Sequence, residues 1–414
     1  MLDKNKQPSS PISEERAKDH ALFALRSNWA EGVYGFEKGG VVTLEKKPLI
    51  IHDLNGQALF YEFEVKDENE PVGSIKTSAS RAIGSAVPQI QLGPRRWDPD
   101  YAFDKVKEKV KEEYHRANIA EVELVCYSYP KIGVRIYTDD GKSMIFDVAS
   151  LSLVDRFGSD ELEGHTSWSF YNEIVEPDAA IREMRWVLED GHLDAVKSEI
   201  PGIFEGKLEA KEQEKTKMAI YKAYTPIEPI DPIEPIKPFV SQRLIQFSPR
   251  CTTHNCYALY AQKTDVYCAV ATGQMILDFY RYYYTQDEIA VAMNTGPFGT
   301  SNLDQVTGYE TLSNYCLNAI YDSTANWGEA RAEINANRPL KSGIPGHARA
   351  CFGFKRQIIF VHPLRFLLKR WLFIQDPWPW NANICLGGAM YWEDWDAITH
   401  TNFIYLRHRT TPCK

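Results

Sequence analysis

Hydrophobic and polar positions change rhythm along this chain in a way that predicts mixed, segregated secondary structure. Apolar residues at helical spacing predict helices over Glu14–Ala30 and Tyr101–Arg116. After the first come strand-like runs at Lys47–Ile51, Ala58–Val65 and Val72–Lys76, with a turn signal at Asn55-Gly56. After the second come Val122–Tyr129, Gly133–Tyr137 and Ser143–Val148, with a turn signal at Asp140-Gly141. One helix laid on a small antiparallel sheet, used twice, is the expected plan of the front half. Lys207–Lys222 is a charge-rich helical stretch. Further on, Val270, Met275, Ile276, Phe279, Tyr280 and Tyr283 recur at helical spacing within Ala269–Tyr284, with Thr264 or Asp265 as N-cap. From Ala348 onward β-branched and aromatic runs take over, at Arg349–Phe354, Ile358–Val361, Trp371–Gln375 and Phe403–Leu406. The fold class expected is α+β.

Length fits this layout. A chain of 414 residues has room for two or three domains, and 44% hydrophobic with 25% charged residues is an ordinary globular balance. The clearest boundary is Thr225–Phe239, with proline at 226, 229, 232, 235 and 238. That period matches the three-residue turn of polyproline II, so a stiff spacer is expected. The period also aligns Ile227, Ile230, Ile233 and Ile236 on one edge, which favours packing along a surface. The expected domains are 1–100 and 101–206, each an α+β module, a linker over 207–240, and a C-terminal domain over 241–414.

Charge adds little to this picture. Residues 241–414 carry 16 Lys/Arg and 13 Asp/Glu, so a net charge of +3 sits behind a front part of -12, within a total of -9. Opposite signs can favour docking, although solvated acidic helices give the same sum. Neither half has the dense basic stripe of a nucleic-acid binder, so no nucleic-acid partner is expected. No apolar run is long enough for a transmembrane helix, and Met1–Arg16 lacks the apolar stretch of a signal peptide. A cytoplasmic protein without a membrane partner is the expectation.

Eight cysteines spread over this length do not read as a disulfide framework, and Cys126, Cys316, Cys351 and Cys385 are expected to be small buried hydrophobes. Cys268 has a different context. It opens the helical run 269–284, six residues after Gln262, where a helix start and a neighbouring imidazolium would lower a thiol pKa. Downstream, His347 opens the apolar stretch Ala348–Phe354, and Asp376 closes Trp371–Gln375 just before Pro377. His362, followed by Pro363, is the rival base. Cys251, His254 and Cys256 suggest a metal, but no second Cys/His pair follows at a suitable spacing, so neither metal nor cofactor is expected. Trp378, Trp380, Tyr391, Trp392 and Trp395 are expected as core and rim aromatics rather than cleft walls.

The order Gln262, Cys268, His347, Asp376, with Gly353-Phe354 after the histidine and Pro377 after the aspartate, resembles papain-like cysteine peptidases. Within these it is most similar to the compact branch that includes the bacteriocin-leader-processing peptidases, over about residues 245–410. The resemblance implies a two-part fold, with a thiol on the helix of one half and an imidazole on the sheet of the other. It implies that His347 takes the Cys268 proton, that Asp376 orients His347, and that Gln262 and the Cys268 backbone N–H hold the oxyanion. A peptide or protein substrate follows. Leader-processing peptidases are fused to membrane transporters, and no spanning run occurs here. The front modules resemble small helix-plus-sheet modules in pro-regions of bacterial peptidases, which implies an intramolecular inhibitor or a substrate-selecting part. Two alternatives stay open: a catalytically silent peptide-binding protein, and a transamidase or acyltransferase using the same thiol.

Overall fold

The computed structural model describes residues 11–113, 118–154, 162–163, 170, 179–223, 239–245, 259–362 and 365–410. The proline-rich stretch and the Cys251/His254/Cys256 cluster lie outside the described residues. Eight helices are described: α1 Glu14–Ala30, α2 Pro99–Glu113, α3 Ala179–Glu199, α4 Gln213–Ala223, α5 Cys268–Phe279, α6 Gln286–Ala292, α7 Asn302–Leu312 and α8 Trp327–Asn335. The front strands are β1 Thr43–Leu44, β2 Leu49–His52, β3 Ala58–Asp67, β4 Glu70–Ser78, β5 Gln89–Leu92, β6 Ile119–Ser128, β7 Lys131–Thr138, β8 Ser143–Asp147 and β9 Leu162–Glu163. Behind them come β10 Phe239–Leu244, β11 Thr300–Ser301, β12 Leu317–Asp322, β13 Leu340–Ile344, β14 His347–His362, β15 Arg365–Asp376, β16 Ala389–Asp394 and β17 Asn402–His408.

Turn chemistry sets the front hairpins. Gly56 and Gly141 both take positive φ, +81° and +79°, as the Asn-Gly and Asp-Gly signals require. The strands expected in two modules nevertheless belong to one sheet, because β2 pairs in parallel with β6 at Ile51↔Leu124 and His52↔Val125. That sheet continues into the back half. Strand β5 pairs antiparallel with β16, Gln91 opposite Tyr391 and Ile90 opposite Trp392. The path β12-β17-β13-β14-β15-β16-β5-β4-β3-β2-β6-β7-β8, with β1 on β3 and β10 on β14, makes a single sheet of fifteen strands. Backbone ladder bonds thus join the halves as well as chain connectivity.

Apolar burial follows the sheet. Leu25, Trp29, Phe63 and Ile75 from the front share one cluster with Phe373, Tyr391 and Trp392 from the back. Phe60, Val106, Tyr129 and Ile132 share a second with Ile344, Trp378 and Ile398. Each core belongs to both halves.

Several elements differ from expectation. Helix α3 was not foreseen because its apolar pattern is partly inverted: Ile181, Met184 and Val187 are exposed while Arg185, Glu189 and His192 are buried. Helix α5 stops at Phe279 instead of Tyr284, with Arg281 at φ +68°. Its tyrosines are drawn to separate neighbours, Tyr280 donating to the Leu406 carbonyl at 2.6 Å and Tyr284 to the Leu312 carbonyl at 2.8 Å. Neither Thr264 nor Asp265 caps it; Tyr267 holds the N-cap position without a side-chain bond. The helix expected over 207–222 begins only at Gln213, after a 3-10 turn at Ala210–Glu212. The two runs expected at 349–354 and 358–361 form one strand, β14. Cys316 and Cys385 are disulfide-bonded and only partly buried, which corrects their reading as buried thiols. Such bonds persist in oxidising surroundings. Cys126, Cys268 and Cys351 are buried and outside disulfides.

Candidate functional site

Helix α5 begins at Cys268, so the thiol lies at the positive end of the helix dipole. The helix is seated against the sheet by Thr272, whose Oγ1 donates to the Ala348 carbonyl at 3.1 Å, and Cys268 and Ala269 pack directly on Ala348. Ala348 is the residue after His347. The first residue of α5 and the first residue of β14 are thereby brought to one place.

Strand alternation does the next step. His347, Arg349 and Cys351 fall on one face of β14, and Asp376 ends the neighbouring β15. His347 Nε2 meets Asp376 Oδ1 at 2.8 Å, with both side chains fully buried. Because that oxygen is a carboxylate acceptor, Nε2 carries the proton and Nδ1 presents its lone pair. Among the described residues Nδ1 has no hydrogen-bond partner. Asp376 is further held by the Trp378 N–H on Oδ1 at 2.8 Å and by the Tyr391 hydroxyl on Oδ2 at 2.6 Å. Burial alone would raise the Asp376 carboxyl, but His347, Arg349 and Tyr391 hold it below the ordinary range. Burial pushes His347 below the usual imidazole range against the pull of Asp376, so its neutral, proton-accepting form is favoured.

Gln262 reaches the same region through its backbone. Its N–H donates to the Pro377 carbonyl at 3.0 Å, and its carbonyl accepts from Asn381 at 3.0 Å. Its side-chain Nε2 donates to the carbonyls of Thr264 and Asp265 at 2.8 and 2.9 Å, while Oε1, buried, has no partner among the described residues. Sequence reasoning placed the four residues 262, 268, 347 and 376; the structure gathers them around the start of α5 and the β14–β15 pair. His362 lies at the other end of the 16-residue β14.

Four groups had no polar role assigned from the sequence. Arg349 and Glu393 form a fully buried ion pair at 2.5 Å; Arg349 also donates to Tyr391 at 3.3 Å. Tyr391 was expected only as an aromatic filler, but its hydroxyl is the polar handle on Asp376. Period-two alternation puts Tyr391 and Glu393 on one face of β16, a signal that was available. The fourth is Lys131 of the front half, buried to 1% exposure and interacting electrostatically with Cys268, Asp147, Asp376 and Asp265. Nothing local marks it. Cys268, His347 and Asp376 are each 0% exposed, and Gln262 1%.

No group of three or more His, Cys, Asp or Glu side chains among the described residues is arranged to hold a metal. No helix among them is long and apolar enough to cross a membrane.

Residues 255–400 match the Peptidase_C39 like family. The matched region contains all four gathered residues, and the match supports a relationship to papain-like cysteine peptidases. It includes the helix bearing Cys268 and the strands bearing His347 and Asp376, and leaves out α1–α4 and β1–β10. Comparison with curated proteins finds no match.

Proposed function

We propose that the chain is a cysteine peptidase in which Cys268 is the nucleophile, His347 its base and Asp376 the group that orients the base. The observation that carries this reading is the buried His347–Asp376 bond at 2.8 Å beside a helix start whose first residue is a cysteine packed on Ala348. His347 Nδ1 accepts the thiol proton, and the thiolate attacks a peptide carbonyl. The oxyanion forms near the Cys268 backbone N–H and the Gln262 side chain. To donate there, the Gln262 amide gives up one of its bonds to the carbonyls of Thr264 and Asp265. One such donor is worth about 2.7 to 4 kcal/mol of barrier. His347 then protonates the leaving amine, and water hydrolyses the thioester.

In this reading residues 241–414 perform the chemistry and the front half restrains it. The complete burial of Cys268 supports restraint, and it equally favours the second reading, a silent peptide-binding protein. Peptide mixtures incubated with the whole chain and with a Cys268→Ala variant separate the two. Cleavage products that appear only with the thiol present support the peptidase. Binding of peptides without any thiol-dependent product, under conditions that expose Cys268, removes it. An added amine that appears in the product moves the assignment to transamidation.

A further inference from the structure

A peptide carbonyl cannot reach a thiol that has no solvent exposure, so whatever covers Cys268 governs the site. Among the described front-half residues Lys131, which pairs with Ser128 across the tight turn between β6 and β7, is a buried charge that Cys268 feels. Lys131 brings an ammonium into a fully buried place. Burial lowers its pKa, and Cys268, Asp147, Asp376 and Asp265 oppose that shift. His347 also feels its charge. An ammonium so placed lies among the same groups that a substrate would have to approach.

Hydrogen bonds fix this turn on both sides. The Tyr129 hydroxyl donates to Glu393 Oε2 at 3.0 Å, the carboxylate oxygen that Arg349 also holds. Asp147, at the end of β8, accepts at Oδ2 from Trp378 Nε1 at 3.0 Å and from Tyr127 at 2.8 Å. Trp378 is the residue whose N–H holds Asp376. Around these bonds Tyr129 and Ile132 pack with Trp378 and Ile344 in one apolar cluster. The gap left between Pro130, Ile132, Trp378, Pro379 and Tyr391 is a cavity of about 10 Å³, room for one water at most. On that side the turn packs closely against Trp378.

We propose that the β6–β7 turn, residues 128–131, is a built-in stopper for the thiol site, with Lys131 at its β7 end and Tyr129 and Asp147 as its two latches. It rests on the reading of Cys268 as nucleophile, and it names the part of the front half that restrains it. A hairpin tip can lift by breaking two polar latches without dissolving the sheet behind it. Opening exposes the thiol and seating buries it.

Iodoacetamide labelling of the whole chain at neutral pH, read by peptide mass spectrometry, tests this. Cys351, buried on β14 of the back half, is the internal control. Wild-type Cys268 reacts slowly. Tyr129→Phe removes one latch hydroxyl and Asp147→Asn sets an amide donor against the Trp378 and Tyr127 donors. Each raises the Cys268 labelling rate about tenfold, the worth of one buried bond to a charged group, while Cys351 stays unreacted. Wild-type Cys268 reacting as fast as a free small thiol, or unchanged rates in both variants, overturns the stopper. Should a variant lose its fold, seen as Cys351 reacting together with Cys268, hydrogen exchange on the wild type decides. Amides of 129, 131 and 132 opening ahead of those of 134–137 support the stopper; opening only together with them overturns it. Faster labelling in variants that cut no peptide keeps the stopper and removes the peptidase reading.

Discussion

The Tyr391 hydroxyl donates to Asp376 Oδ2 at 2.6 Å, so the carboxylate that faces His347 on one oxygen is satisfied on the other by β16. Tyr391→Phe keeps the ring and removes that donor, leaving a buried carboxylate oxygen short of a partner. A loss of about 1 to 3 kcal/mol of stability is expected, measurable as a lower denaturant midpoint. The Asp376 pKa rises in the variant, because one bond to its charged form is gone.

Removing Arg349 should cost more. Its guanidinium is fully buried against Glu393, and burial, which would lower its pKa, is overcome by Glu393 and Tyr391. Arg349→Met leaves Glu393 buried without its charge partner, an expected loss of about 3 to 5 kcal/mol. The double variant Arg349→Met, Glu393→Gln should recover part of it in equilibrium unfolding.

Asp278 gives a pH signature. Burial pushes its carboxyl up to about 6, with the Tyr260 hydroxyl at 2.5 Å opposing. Its folded pKa lies above its unfolded value, so the native state binds the extra proton and stability falls as pH rises from about 4 to 6. Asp278→Asn should therefore be more stable than wild type by about 2 kcal/mol at pH 8, with the difference vanishing near pH 4. Urea titrations at the two pH values check this.

Gly353 tests the Gly-aromatic pair after the histidine. A Cβ there would lie 2.8 Å from the Arg243 carbonyl oxygen and 2.7 Å from Leu244 Cδ2, because β10 runs across β14 at this point. Gly353→Ala should cost about 1 to 3 kcal/mol by overpacking, seen as a lower thermal midpoint.

Cys316 and Cys385 should stay unlabelled by iodoacetamide in unfolded protein until a reductant is added, whereas Cys126, Cys268 and Cys351 should react at once. Peptide mass spectrometry separates the two sets.

The candidate site was legible where a residue carries a local context of its own. Gln262, Cys268, His347 and Asp376 each sit in a short context of their own: a helix start, a strand start, a strand end before proline. Hairpins marked by Asn55-Gly56 and Asp140-Gly141 were legible for the same reason, since a positive φ must be supplied by the residue that adopts it. Helix α3 was not, because Arg185, Glu189 and His192 turn inward to partners far along the chain. His192 lies edge-on to Phe23, Arg185 bonds Asp396, and Glu189 accepts from Ala86. Those burials are permitted only by partners that no local pattern announces.

By itself the sequence determined which residue types stand in which order, and so the thiol, imidazole, carboxylate and amide that chemistry can use. Tertiary structure alone decided that Gln91 lies opposite Tyr391, that Tyr129 reaches Glu393, and that Lys131 is buried. The physical reason is that helix periodicity, turn φ and caps are settled within a few residues. Strand partners and buried charges are settled by whichever distant segment completes their hydrogen bonds.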